Sequence, residues 1–130
     1  MDRKFTFVAI GAVFWLLAAI LMKYLGPVVF DGGLIHALWF VANFAFGAIS
    51  LVVIAKLTGR TKHDMLAPTA IMAMPAMLMD GLAVTTDARG WSHVYADTPQ
   101  LAAYSGGFLL FAFWSFFFFA LMWHRPARAV

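Results

Sequence analysis

The stretch that decides the fold is "LAPTAIMAMPAMLMDGLAVTTD" (66–87), an apolar run that contains Asp80 and Asp87. Roughly 20 apolar residues are enough to cross the hydrocarbon of a bilayer as a helix. Steps of three and four residues along this helix trace a stripe of small and polar side chains. The stripe consists of Thr69, Ala73, Ala76, Asp80, Ala83 and Asp87. We therefore predict a transmembrane helix that packs through this stripe and turns both aspartates inward.

The whole chain has the composition of a membrane protein. Of its 130 residues, 64% are hydrophobic and only 12% are charged, and the mean hydropathy is +0.87. This leaves too few polar side chains to cover a water-soluble domain of this size. Four apolar spans are predicted, at residues 5–25, 34–55, 66–87 and 101–123. The expected fold is one all-α domain, an up-down-up-down bundle of four transmembrane helices.

Lysine and arginine residues indicate which side of the membrane each segment faces. Two of the nine, Lys23 and Arg89, flank the first and third loops. The other seven lie at the N-terminus, in the second loop and at the C-terminus: Arg3, Lys4, Lys56, Arg60, Lys62, Arg125 and Arg128. Because cytoplasmic segments are enriched in basic residues, both termini are predicted to be cytoplasmic. The dispersed charges favour this explanation over nucleic-acid binding.

Polar residues gather in the predicted outer half of the bundle. Asp80 and Asn43 lie at comparable depth in the third and second spans, so we expect a hydrogen bond between them. The residues expected around this pair are His36, Asp87, Ser105, Tyr104 and Lys23. Together they predict an outward-facing polar pocket that is closed below by aliphatic and aromatic side chains. The alternative is a neutral Asp80 that only joins helices.

Metal binding is a second interpretation of the same region. His36, His93 and Asp87 are of residue types that ligate metals, but they come from separate segments without a short spacing motif. A lone histidine in a helix is more often simply hydrogen-bonded. The chain has no cysteine, which excludes disulfides and thiolate ligands. No motif in the sequence requires a cofactor.

Two tryptophans lie in unusual positions. Trp15 and Trp114 fall near the middle of the first and fourth spans, away from the interfaces that tryptophan prefers. Their indole N–H groups need acceptors, so we expect both residues to face the bundle or a partner. Trp91, Tyr95 and Trp123 lie at or beyond the ends of spans and are predicted to be interfacial anchors.

Three segments resemble a known class of membrane protein. They are "MLMDGLA" (77–83), "GWSHVYAD" (90–97) and "AAYSGGFLLFAFW" (102–114). With the four-span layout, they are similar to small four-helix inner-membrane proteins of bacteria that are grouped as domains of unknown function. The resemblance covers most of the chain and implies a location in a bacterial inner membrane. It implies no role for any individual residue.

Three classes of function remain open. The first is a binding or accessory subunit that docks to a larger membrane complex, forms a homo-oligomer or binds a small ligand in the pocket. The second is a small oligomeric transporter or channel for a cation, metal or small solute, although one protomer offers no polar route past Ser50, Thr69 and Ser115. The third is a membrane enzyme, which is disfavoured because no catalytic motif is present. The sequence favours the first class.

Overall fold

The computed structural model describes residues 3–125 of the chain, which form four long α-helices and contain no strand. The helices are α1 (Arg3–Val29), α2 (Leu34–Leu57), α3 (Leu66–Ala88) and α4 (Pro99–Trp123). Within these residues, four helices are long and apolar enough to cross a membrane. The predicted all-α fold with four candidate transmembrane helices is therefore confirmed. Arg128, which contributes to the predicted topology, lies outside the described residues.

Two helices include prolines that lie outside the predicted spans. α1 continues beyond residue 25 and includes Pro27 in its last turn. α4 starts with Pro99 rather than at Leu101, and the Thr98 hydroxyl caps it by accepting from the Leu101 backbone N–H at 3.3 Å. Proline at a first helical position costs no hydrogen bond, since that N–H has no partner inside the helix. Pro99 therefore begins α4 without the loss of a hydrogen bond, whereas Pro27 lies in the last turn of α1, close to its end.

The four helices pack in an uneven arrangement. α1 packs mainly on α3, α3 on α4, and α4 on α2. By contrast, α1 and α2 make few contacts with each other, and α2 and α3 make none within residues 3–125. The order of neighbours is therefore α1, α3, α4, α2, with a gap between the two outer members of this row.

Small residues bring the neighbouring helices close together. The six residues of the predicted α3 stripe are all buried, which confirms that it is the packing face. Met72, which the pattern places off the stripe, is buried as well. A Cβ atom added to Gly11 of α1 would lie only 2.1 Å from the carbonyl oxygen of Met72. A Cβ atom on Gly47 of α2 would lie 2.5 Å from the Ser115 hydroxyl of α4.

Each end of the bundle is closed by contacts between distant segments. At one end, the guanidinium of Arg60 lies 5.4 Å from the centre of the Phe7 ring, and Lys62 Nζ lies 5.1 Å from that of Trp123. The residues 62–64 form a short 3₁₀ turn there, between α2 and α3. At the other end, the loop between α3 and α4 folds over the end of α1. Asp80 lies towards this second end.

Candidate functional site

Asp80 lies at one end of a hydrogen-bonded chain that joins three segments through Tyr95. It is buried on α3, and its Oδ1 atom accepts a hydrogen bond from the Tyr95 hydroxyl. The same hydroxyl accepts a hydrogen bond from Nε1 of Trp15 in α1 at 2.7 Å. Tyr95 comes from the loop between α3 and α4. The carboxyl group of Asp80 is therefore bound to this loop and, through it, to α1.

The predicted hydrogen bond between Asp80 and Asn43 is wrong. Asn43 is buried on α2, and its Nδ2 atom has no hydrogen-bond partner among residues 3–125. The physical reason is the order of the helices, because α2 packs on α4 and does not contact α3. The two residues lie at comparable depth and line the same cavity, but they form no hydrogen bond with each other.

Tyr95 is the residue of this site that sequence reasoning missed. It was predicted to be an interfacial anchor, but only 1% of it is exposed. Burial and the hydrogen bond to Asp80 raise the pKa of Tyr95 far above its ordinary value, so its hydroxyl keeps its proton. A carboxyl group buried in a transmembrane helix needs a hydrogen-bond donor. This need was the one feature of the sequence from which a buried tyrosine in the adjoining loop could have been predicted.

Asp87 holds the backbone of that loop. Its carboxyl oxygens accept hydrogen bonds from the backbone N–H groups of Val94, Tyr95 and Ala96, at 2.9, 2.6 and 3.1 Å. They also accept one from the Ser92 hydroxyl at 2.6 Å. Asp87 is 2% exposed, and its acceptor capacity is used by the loop. Its observed role is to fix the loop that carries Tyr95 into the bundle.

The other predicted pocket residues lie apart from Asp80 and form no hydrogen bond to it within residues 3–125. His36 packs among aromatic rings, with its ring centre 5.1 Å from that of Tyr104. Lys23 forms an ion pair with Asp97, in which Nζ and Oδ1 are 2.7 Å apart. Ser105 is buried, and its hydroxyl has no partner among the described residues. The predicted residues therefore do not assemble into one outward-facing polar pocket.

The predicted metal candidates are not brought together either. Residues 3–125 contain no group of three or more histidine, cysteine, aspartate or glutamate residues that could hold a metal ion. Nδ1 of His93 lies 3.6 Å from an Asp97 carboxyl oxygen at the surface. His36 packs among aromatic rings, and Asp87 is hydrogen-bonded to the loop. His36, His93 and Asp87 therefore lie in three different environments.

A cavity of about 400 Å³ occupies the gap between α1 and α2. Its wall is almost entirely apolar, and Asp80 and Asn43 contribute its polar side chains together with the indole of Trp15. Leu17 of α1 and Phe46 of α2 line the cavity and are 59% and 52% exposed. Because these two residues are exposed on different helices at the edge of the cavity, the cavity opens sideways between α1 and α2. Of the residues predicted for the pocket, Asp80 and Asn43 line this cleft, and the other five do not.

The two mid-span tryptophans lie in different environments. Trp15 lines the cleft and donates its indole N–H to Tyr95, as described above. Trp114 is 50% exposed on α4 and stacks against Phe44 and Phe118, with ring centres 5.7 and 5.2 Å away. Trp114 therefore lies on an exposed aromatic surface of α4, whereas Trp15 belongs to the site.

Comparisons of the chain with protein-family models, with curated proteins and with solved structures found no match. The resemblance to bacterial inner-membrane proteins of unknown function therefore remains a prediction.

Proposed function

We propose that this chain is an integral membrane binding subunit that takes a lipophilic ligand sideways from the bilayer into the cleft between α1 and α2. The observation that carries this proposal is the combination of an apolar, laterally open cavity with two buried polar side chains, Asp80 and Asn43. Its volume of about 400 Å³ lies within the range of small-molecule sites, which are mostly apolar and hold a few polar groups. A plain acyl chain would need none of these polar groups.

The same cleft argues against an ion pathway. A hydrated cation needs a polar route, whereas the wall of this cavity is almost entirely apolar. Ser50, Thr69 and Ser115 are buried in the other half of the bundle, so they do not extend the polar groups of the cleft into a continuous path. Transport remains the alternative function, and it would require an oligomer that supplies the missing polar route.

For the membrane orientation, we infer an up-down-up-down bundle with both termini in the cytoplasm, in a bacterial inner membrane. Support comes from the basic residues Arg60 and Lys62, which contact Phe7 near the start of α1 and Trp123 at the end of α4. These three segments share one end of the bundle, and the positive-inside rule assigns that end to the cytoplasm. A reporter fused at Thr61 should give a cytoplasmic signal, and one inserted in the loop after α3 an external signal. The reverse pattern would contradict this orientation.

Docking to a larger membrane complex, or to a second copy, is a further candidate role. It is favoured by Trp114, which is half exposed within a stack of rings on α4. Aromatic residues are enriched at protein interfaces. Replacement of Trp114 by leucine should weaken co-purification of a membrane partner without lowering the abundance of the chain. Unchanged recovery of every co-purifying protein would contradict this role.

The binding function is tested by the lipophiles that the chain retains. Ala42 lines the cleft, whereas Ala45, one helical turn along α2, is exposed and does not line it. Ala42→Phe should fill the opening of the cleft, and Ala45→Phe places the same ring outside the cleft. After purification in mild detergent, organic extraction and mass spectrometry should find a stoichiometric lipophile in the wild type and in Ala45→Phe. It should be depleted in Ala42→Phe. Equal retention in all three proteins would overturn the proposal.

A further inference from the structure

We propose that the ligand of the cleft is a quinone-type molecule, whose uncharged ring carbonyl accepts a hydrogen bond from the amide of Asn43. This inference rests on the proposed function and specifies the ligand that the cleft selects. It combines the chemistry of Asn43, the depth of the polar groups and the rings in the wall.

Asn43 supplies a hydrogen-bonding group that the protein leaves unused. The residue is only 8% exposed, it lines the cleft, and its Nδ2 atom has no partner within residues 3–125. Buried side-chain polar groups almost always have a hydrogen-bond partner, so an unpaired amide on a residue that lines the cavity indicates a missing partner. The Nδ2 atom is itself covered, and rotation of the side-chain amide would present an N–H to the cleft. A carbonyl oxygen is the simplest partner for an amide N–H. Ordered water is a poor alternative, because the rest of the wall is apolar.

The depth of this amide excludes a charged headgroup. Asn43 lies about 13 Å along α2 from its first residue, and Asp80 about 12 Å along α3 from its last. Both side chains thus belong to the hydrocarbon depth of a leaflet if the helices span the bilayer. A phosphate or ammonium group would be strongly disfavoured at that depth. The polar part of the ligand must therefore be compact and uncharged.

Aromatic side chains in the wall favour a flat ring. Trp39 and Phe108 stack with an interplanar angle of 23° and ring centres 6.3 Å apart, and both line the cleft. Phe14 and Phe46 form a tilted pair with ring centres 6.5 Å apart at the same cavity. Such rings pack well against a planar head. A cavity of about 400 Å³ holds a substituted ring, while a long isoprenoid tail would leave between α1 and α2 into lipid.

Two matched probes test the role of the carbonyl. Decylubiquinone carries ring carbonyls and methoxy groups, and decylbenzene carries a ring and the same tail without any oxygen atom. A ligand that binds only the folded state raises the unfolding temperature, so thermal unfolding in detergent reports the binding of each probe. For the wild type, decylubiquinone should bind about tenfold more tightly than decylbenzene, a difference of about 1.4 kcal/mol.

Asn43→Leu removes the amide at similar volume. Because the amide is unpaired in the protein alone, this variant should fold, and it should lose the preference for decylubiquinone. Ala45→Phe is the control and should keep that preference. Equal binding of the two probes by the wild type, or an unchanged preference in Asn43→Leu, would overturn the quinone inference while leaving a lipophile site in place. If neither probe binds and no lipophile is retained, the proposed function fails as well.

Discussion

The hydroxyl of Tyr95 donates a hydrogen bond to the carboxyl group of Asp80, which lies fifteen residues earlier in the chain. This contact explains how a bundle of apolar helices tolerates a buried acid in the middle of an apolar helix. The donor comes from the loop that follows the helix, and Asp87 fixes that loop through three of its backbone N–H groups. The two aspartates of α3 therefore act together, one holding the loop and the other receiving its tyrosine.

Removal of the Tyr95 hydroxyl should destabilise the fold. Tyr95→Phe leaves the Asp80 carboxyl and the Trp15 indole N–H without their shared partner, which should lower the free energy of unfolding by about 1–3 kcal/mol. Tyr104→Phe is the matched control, because that hydroxyl accepts only an exposed hydrogen bond from Gln100 at 3.2 Å. Unfolding by denaturing detergent in mixed micelles measures both changes. Equal stabilities of the two variants would show that the hydrogen-bonded chain contributes nothing to folding.

Asp87→Asn should release the loop between α3 and α4. An amide replaces one acceptor oxygen with an NH₂ donor, which then faces backbone N–H groups or the Ser92 hydroxyl. We expect a loss of about 1–3 kcal/mol in the free energy of unfolding and faster hydrogen exchange at Val94, Tyr95 and Ala96. Asp31→Asn is the control, because Asp31 is exposed and accepts only from the backbone N–H of Gly33. Protection that stays at the wild-type level in Asp87→Asn would contradict the assigned role.

The ion pair at the bundle end predicts a pH dependence. The Lys23 ammonium, 2.7 Å away, holds the pKa of Asp97 below its ordinary value. Because the pKa is lower in the folded state than in the unfolded state, the pair stabilises the fold at neutral pH. That stabilisation is lost as the pH falls through the folded pKa of Asp97. The effect should be small, since both groups are at the surface.

Replacement of Lys23 tests the origin of this shift. Lys23→Met should raise the pKa of Asp97 towards its ordinary value, as followed by NMR titration of the carboxyl carbon. Lys56→Met, at the end of α2 remote from Asp97, should leave the titration unchanged. A pKa of Asp97 that does not respond to Lys23→Met would show that the ion pair does not form in solution.

The sequence predicted the helices well because length and hydropathy determine whether a segment can span a bilayer. It also predicted the packing face of α3, since small residues at steps of three and four allow close approach. The depth of Asn43 and Asp80 followed from the rise per residue. Depth, however, does not specify which helix is the neighbour of which, and the expected contact between these two residues failed for that reason.

Tyr95 shows a second limit of the sequence pattern. A tyrosine in a short loop near the end of a helix is typical of an interfacial anchor, and no periodicity distinguishes that position from a buried one. Its burial depends on the backbone path of residues 92–96, which Asp87 determines through hydrogen bonds. The cleft between α1 and α2 was unpredictable for a related reason, because it arises from two helices that fail to contact each other.

Substitution of Gly11 by alanine should disrupt the contact between α1 and α3. The new Cβ atom would lie 2.1 Å from the Met72 carbonyl oxygen, and a backbone atom cannot rotate away as a side chain can. The helices must separate, which should also weaken the hydrogen bond between Trp15 and Tyr95. We expect Gly11→Ala to lower the free energy of unfolding by about 1–3 kcal/mol, the range for overpacking of a tight interior.

Gly81→Ala provides the comparison that isolates this contact. Gly81 is an exposed helical glycine on α3, and a Cβ atom there meets nothing within 4 Å among the described residues. Alanine should stabilise α3 slightly, by about 0.5–1 kcal/mol, because it restricts the unfolded chain. Unfolding of both variants in mixed micelles should therefore give changes of opposite sign. If Gly11→Ala is as stable as Gly81→Ala, then α1 and α3 do not approach each other through Gly11.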